Sequence, residues 1–314
     1  MSSGRIYNVI LNNTNVISSS NSIFKYNFLN GSFNVTADSE ICVSQLSLPY
    51  SWFNITSQYA NNTLSINFPT PGAANTYTSY PLTLPSGFYT QTTLNQYLQQ
   101  WSIQNGYFLV NTTTGQFVYF LQLAANATFY GDQLFTFVVP SSATLATLYP
   151  GTRVPIASDG GAAWPGFPLN PITPQFNITN ASFGTIIGFL PGLYPPTAAA
   201  LNVANYNVIS NTFINTTPVN SVIIRCSLVS NPVSMPSDVL DLVPITGPFG
   251  SNIIYSPSFE KWVSLTGDDS KYNQLTITFT DQNFNLLQCQ DNNIALSLLI
   301  KVKPKIKTIN FSSN

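Results

Sequence analysis

Histidine is absent from this chain of 314 residues. With it go the commonest general base, the commonest zinc ligand and the Ser-His and Cys-His nucleophile pairs. Most hydrolase mechanisms fall on that ground, and the chain is read as a non-enzyme with no catalytic residue, cofactor or metal ligand assigned. Charge is almost as scarce: Asp, Glu, Lys and Arg make up 7% of the residues, against about 25% in an average soluble domain. Solubility therefore rests on Asn, Ser, Thr and Gln. A surface of that kind costs little to desolvate and suits extensive protein–protein contact, a bias that carbohydrate-binding β-proteins share. The net charge of −1 supplies no overall field toward nucleic acid or an anionic membrane.

Cysteine is sparse, at positions 42, 226 and 289, an odd number with no C-x-x-C pair. Each lies in a strand-like run, so buried thiols in a reducing compartment are expected, with a disulfide as the alternative. The start, MSSGRIYNVILNN, has no basic region followed by an apolar stretch. No run approaches the ~18 apolar residues of a membrane span. Synthesis in the cytosol is the expectation, and the sequons, Asn54, Asn61 and Asn215 among them, are expected to stay unmodified.

What the chain does have is short β-like runs punctuated by Pro, Gly and Asn: 23–28, 40–48, 64–68, 80–84, 107–110, 117–123, 134–139, 221–229, 253–255, 275–280 and 295–302. So many short strands point to an all-β sandwich or jelly roll. In Leu275-Thr-Ile-Thr-Phe-Thr280 the apolar side chains alternate, so one face enters a core. The run 41–48 is less regular and fits a bulged strand or one covered on both faces. One helix is predicted over about 91–104: Leu94, Tyr97, Leu98 and Trp101 recur at helical spacing, threonines cap its start and Asn105-Gly106 end it. It is expected to lie across an open end of the sandwich. Seven prolines between 140 and 174, with Gly160-Gly161, predict an ordered irregular excursion. The partition expected is 1–125 and 176–314 as the two parts of one jelly roll, with 126–175 inserted.

The end of the chain, Lys301-Val-Lys-Pro-Lys-Ile-Lys307, holds four of the ten basic residues. It reads as protection of an edge strand or as a contact for genome phosphates. Asp268-Asp269 and Asp238 with Asp241 are read as solvated loop acids, since nothing in their spacing makes a facing carboxylate pair or an oxygen-ligand loop. Gly247-Pro-Phe-Gly250 is no phosphate loop. Trp52, Trp164 and Trp262 are read as buried in core or interface, with sugar stacking as the alternative.

A series of phrases carries a resemblance: Pro49-Tyr-Ser-Trp-Phe-Asn-Ile-Thr56, Leu84-Pro-Ser-Gly-Phe-Tyr-Thr-Gln-Thr-Thr-Leu-Asn-Gln-Tyr-Leu-Gln99, Phe183-Gly-Thr-Ile-Ile-Gly-Phe-Leu-Pro-Gly-Leu-Tyr-Pro195, Val219-Asn-Ser-Val-Ile-Ile-Arg-Cys-Ser-Leu-Val-Ser-Asn231, Phe249-Gly-Ser251, and Leu275-Thr-Ile-Thr-Phe-Thr-Asp-Gln282 followed by Asp291-Asn292. In their order and spacing these resemble the penton, or minor capsid, proteins of virophages, Polinton-like viruses and related large DNA viruses of protists. The resemblance implies a single jelly roll, five copies of which form a capsomer at each fivefold vertex of an icosahedral virion. It also implies contact with the major capsid protein and an insertion, for which the Pro-rich segment is the candidate. Within these phrases, Gly184, Gly188 and Gly192 are read as close backbone approaches or positive-φ turns, a helix being disfavoured by Pro191 and Ile186-Ile187. Asp281 is read as capping local backbone N–H groups. A receptor- or glycan-binding β-module is the alternative function.

Overall fold

A computed structural model of the chain describes residues 5–17, 19–29, 31–36, 38–126, 131–266 and 271–302. In chain order the strands are β1 (Arg5–Leu11), β2 (Val16–Ile17), β3 (Ser20–Asn27), β4 (Phe33–Asn34), β5 (Glu40–Pro49), β6 (Thr63–Pro69), β7 (Tyr77–Thr83) and β8 (Phe108–Asn111). They continue with β9 (Phe117–Tyr119), β10 (Leu121–Asn126), β11 (Gly131–Thr136), β12 (Thr152–Arg153), β13 (Gln175–Ile178), β14 (Gly192–Tyr194) and β15 (Tyr206–Ile209). The last are β16 (Ser221–Cys226), β17 (Val239–Pro244), β18 (Asn252–Tyr255), β19 (Val263–Ser264), β20 (Lys271–Tyr272), β21 (Gln274–Thr280) and β22 (Ala295–Val302). The α-helices are α1 (Gln91–Gln104), α2 (Leu145–Leu148), α3 (Ala181–Ile187) and α4 (Thr197–Ala200).

The chain forms two compact units, one of residues 1–52 with 219–314 and one of residues 53–218. In the first, eight longer strands make two antiparallel sheets. One runs β1-β22-β5-β18 and the other β17-β16-β21-β3. Counted along the unit's own eight strands these orders are 1-8-3-6 and 5-4-7-2, the interleaved arrangement of a jelly roll. The protein is therefore all-β in its framework, with a jelly-roll sandwich as expected. The location of the insertion is corrected: it is the whole of 53–218, between the third and fourth strands of the roll, and not 126–175. The strands at 64–84 and 107–139 read locally like jelly-roll strands, but they pair with one another and with β13 and β15.

Alternation explains the sandwich. Leu275, Ile277 and Phe279 are buried while Thr276 and Thr278 are half-buried between them. Phe279 meets Phe24 of β3 edge to face at 5.6 Å, a favoured aromatic geometry. In β5 the register slips so that Ser297 faces Gln45 while Leu298 faces Val43, leaving Ser44 as a bulge. Cys42 is also fully buried, so both readings of that run hold. The edge-protection reading of the C-terminal lysines does not apply to β22, which pairs with β1 and β5 on its two sides. Lys303, Lys305 and Lys307 themselves lie outside the described residues, as do Asp268 and Asp269.

The inserted unit has its own core. Helix α1 buries Leu94, Leu98 and Trp101, is capped by Thr90 and Thr93 and stops before Gly106, whose φ is +73°. It packs on β10, where Asn95 accepts a hydrogen bond from the Leu123 backbone N–H at 2.9 Å. It thus belongs to the inserted unit and not to the jelly roll, whose open end it had been expected to cross. The Pro-rich excursion is part of the same core: Tyr149, Val154 and Trp164 pack against it. Helix α3 occupies a stretch expected to be turns. Asn180 caps it by accepting from the N–H groups of Ser182 and Phe183, and Gly188 ends it in the left-handed region. The glycines do serve close approach: a Cβ on Gly184 would stand 2.3 Å from the Phe189 carbonyl oxygen.

Side-chain amides replace ions as the pins of this unit. Asn54, almost fully buried, donates through Nδ2 to the carbonyls of Tyr89 and Thr216, both at 2.8 Å, and accepts from the Tyr89 N–H. Asn61 donates to the Asn54 carbonyl at 2.8 Å. Both begin sequons, and their amide nitrogens are committed to these bonds, so the folded chain offers neither for glycosylation.

The three cysteines are free and buried, and burial pushes their thiols up to about 11, 12 and 11 for Cys42, Cys226 and Cys289. A thiol reagent at pH 8 is expected to find none of the three in the native protein and all of them after denaturation. Phe279→Ala is expected to cost roughly 3–5 kcal/mol in denaturant unfolding. Asn54→Ala, which strands two carbonyls, is expected to cost about 2–3 kcal/mol.

Candidate assembly surface

Burial leaves two kinds of surface. On the jelly roll, charges are few and mostly committed. Asp238 receives a forked pair of hydrogen bonds from Arg225, at 2.9–3.1 Å. Asp241, nearly buried on β17, accepts from the Lys261 ammonium and from the Tyr255 hydroxyl of β18, each at 2.8 Å, and so ties the edges of the two sheets together. The two acids read as solvated are thus each in an ion pair, and neither faces the other as a catalytic partner. Asp281 does what was expected, accepting from the N–H groups of Asn283 and Asn285 at 2.8 and 2.9 Å. Beside these polar clamps the flanks of the roll are apolar: Ile6 and Ile10 on β1, Leu242 on β17 and Ile254 on β18 are exposed, on the outermost strands of the two sheets.

The inserted unit goes further. Its only charged residues are Asp132, Arg153 and Asp159. Arg153 and Asp159 form a forked ion pair at 2.6 and 2.7 Å, which holds the Asp159 carboxyl down to about 2. Asp132 is 0% exposed, and among the described residues no hydrogen bond of ordinary length and angle reaches either carboxylate oxygen, the Gln91 side chain being only a weak partner. The surface of residues 53–218 therefore carries no unpaired ion. It does expose apolar side chains, led by Phe213 at 77%, with Val203, Leu169 and Leu190. Phe213 borders a cleft of about 570 Å³ lined also by Ile209, Ser210, Asn211 and Thr212. Removing such a surface from water requires no desolvation of charge, and what replaces water there must be equally uncharged.

The tryptophans give little to a sugar. Trp52 is buried and stacked on Tyr50 at 4.4 Å. Trp164 is packed against Phe120, Tyr107 and Phe167 with ring centroids at 6.0, 6.5 and 5.3 Å. Trp262 donates to Glu260 and lies beneath the Lys301 ammonium. The Gly247–Gly250 stretch is a tight turn, closed by the Ser251 hydroxyl on the Pro248 carbonyl at 2.6 Å. Among the described residues no group of His, Cys, Asp and Glu could hold a metal ion, and no helix is long and apolar enough to cross a membrane. Sequence reasoning missed β1 and β17, the strands that carry most of the exposed apolar flank. The alternation Tyr7, Val9, Leu11 signals the first; Asp241 and Pro244 conceal the second.

No family model matches the chain, and no curated protein matches it. Among solved structures it is similar to the mavirus penton protein, at 11% identity and a TM-score of 0.38 over 94% of this chain and 98% of that one. It is also similar to a chain of the Sputnik virophage seen by cryo-electron microscopy, at 12% identity and the same TM-score of 0.38, over 96% and 98%. The assignment of the jelly roll rests on strand order and register alone.

Burial in an apolar site pushes the Asp132 carboxyl up to about 7, and the Gln91 side chain opposes the shift more weakly. Between the ordinary carboxylate value and pH 7 the unfolded chain releases this proton while the fold retains it. Stability from this group therefore falls as pH rises through that window and is lowest above it. Asp132→Asn is expected to abolish that fall, making the variant more stable than the parent at pH 8 by up to roughly 4 kcal/mol and nearly neutral at pH 4. Thermal unfolding at the two pH values measures it.

Proposed function

We propose that this chain is a structural capsid protein, a penton that forms fivefold capsomers at the vertices of an icosahedral virion. Its activity is association. Five copies bury their flanks against one another around a closed axis, and the ring meets the major capsid protein along its outer border. Closed cyclic symmetry leaves no unmatched patch within the ring. Each contact is repeated, so modest pairwise affinity yields a stable shell. The protein is made in the host cytoplasm and resides in the virion.

The observation that carries this reading is the ion-free surface of residues 53–218 on a chain whose other unit is a jelly roll. A free-standing soluble protein gains solubility from interspersed charge. Here that protection is missing, while Phe213, Val203 and Leu169 stand in solvent. The resemblance of the sequence phrases to penton proteins points the same way. A glycan-binding module would call for an open aromatic platform, and Trp52 and Trp164 are already engaged by other rings.

Electron microscopy of the purified chain, alone and with the major capsid protein, is expected to show rings of five. Phe213→Asp and Val203→Asp place a charge on an exposed position without touching the core, so they are expected to leave the thermal unfolding curve unchanged and to weaken ring or shell formation by about tenfold or more. A chain that stays monomeric in both settings would refute the proposal.

A further inference from the structure

The sheet β10-β11-β15 of the inserted unit ends in a short outer strand. β15 has four residues, pairs among the described residues with β11 alone, and alternates half-buried with exposed positions. An edge with so few buried contacts opens locally at low cost. A small set of bonds holds the chain beyond it. The Ser210 N–H donates to the Asp132 carbonyl at 2.8 Å, and the Asp132 N–H donates to the Ser210 hydroxyl oxygen at 3.2 Å. The Thr212 N–H donates to the Gly188 carbonyl at 2.9 Å, and Asn211 accepts from the Leu190 N–H and the Tyr194 hydroxyl at 3.2 and 2.7 Å. Exposed Phe213, and the cleft lined by residues 209–213, hang on these attachments.

Asp132 stands at the first of them. Its side chain shares the core face of β11 with Leu134 and Thr136, and all three are buried. Ser210 packs directly on glycine backbone: a Cβ on Gly131 would stand 2.2 Å from its hydroxyl oxygen, and one on Gly188 would stand 2.9 Å from its Cβ. On the other side β10 pairs with β11 over all of 121–126, so the Ser210 side yields first when water is drawn to the carboxyl. The groups around that carboxyl are uncharged. Ala125 lies opposite it on β10, Ser210 follows β15, and Gln91 stands at the start of α1. Arg153 and Asp159, the other ions of the unit, are paired with each other. Burial holds the phenols of Tyr206 on β15 and Tyr194 on β14 above their usual range, so both stay neutral. Tyr97 of α1 donates to the Thr83 carbonyl, and β10 and α3 contain no titratable residue. A leucine or asparagine would fill the position of Asp132 without placing an ionisable group in the core. What the carboxyl adds is a response to protons.

We infer that Asp132 is a proton-operated latch on residues 209–213: neutral, it keeps the segment docked on β11 with Phe213 in the assembly surface, and ionised, it draws water past Ser210 and releases the segment. The effect on assembly rests on the capsid reading, because the latch controls part of the surface that reading invokes. In the released segment the carboxyl titrates in its ordinary range, whereas in the docked one it keeps its proton up to about 7. Below the ordinary range both forms are neutral and the latch is shut. Each pH unit between the two values raises the released population by up to tenfold, and above about 7 the rise stops. Capsomers are therefore tightest in mild acid, and above pH 7 the released form is the major one.

Amide hydrogen exchange of the full chain at pH 5 and pH 8, corrected for the intrinsic pH dependence of exchange, tests the latch. The Ser210 and Thr212 amides are expected to lose about a hundredfold in protection between the two, while Ile66, in the sheet of β6, stays protected at both. Asp132→Asn is expected to keep Ser210 and Thr212 protected at pH 8. Where that variant fails to fold, the parent titrated in half-unit steps carries the test, its loss of protection levelling off near pH 7. Protection of Ser210 and Thr212 that is flat with pH, or that disappears only together with that of Ile66, overturns the latch. Microscopy of the same samples is expected to show rings forming at pH 5 at about a tenfold lower protein concentration than at pH 8, with Asp132→Asn removing the difference. Rings that form equally well at both pH values overturn the control of assembly. Absence of rings at both counts against the capsomer reading, and the exchange data then decide the latch alone.

Discussion

The pairing of β22 between β1 and β5 holds the rest of the molecule in place. Among the described residues it is the longest-range strand pairing, joining residues 5–11 and 40–49 to residues 295–302. Loop-closure entropy opposes such pairing, but the cost grows only with the logarithm of the intervening length. A long excursion inside that loop is therefore tolerated. The eight strands form a complete sandwich from residues 1–52 and 219–302, and the intervening stretch is free to build a second core of its own.

That second core shows how a protein remains folded with almost no ions. Hydrogen bonds from Asn, Ser and Thr to backbone do the fastening that salt bridges do elsewhere, and they bring no desolvation penalty of a charge. Asn54 is the clearest case, because it links Thr216 near the exit of the inserted unit to its entrance and to Tyr89. Asn180 joins the cap of α3 to the Ala60 carbonyl. In the jelly roll the ions are placed where geometry is demanding, such as the Asp241, Lys261 and Tyr255 cluster between the sheet edges. The same economy leaves the surface neutral, so covering it requires no desolvation of charge.

Strand existence was legible in the sequence and strand partnership was not. Alternation in 275–280 and the helical spacing of Leu94, Leu98 and Trp101 are local signals, and the structure honours them. Which of two similar sets of strands belongs to the roll depends on pairing across hundreds of residues, so the inserted unit was placed at 126–175 instead of 53–218. Helix α3 escaped notice because Ile186-Ile187 disfavour a helix locally, whereas burial of Phe183, Ile186 and Ile187 in the core outweighs that preference. The neutrality of the surface was visible at once in the composition. Its concentration in one unit needed the fold.

The Asn54 clamp has an evolutionary corollary. A module joined to its frame by two chain crossings, with its entrance and exit laced together by its own amide, can be exchanged wholesale while the sandwich is retained. Rewriting the middle of the gene in this way leaves every strand of the roll, and the order in which they pair, as they were.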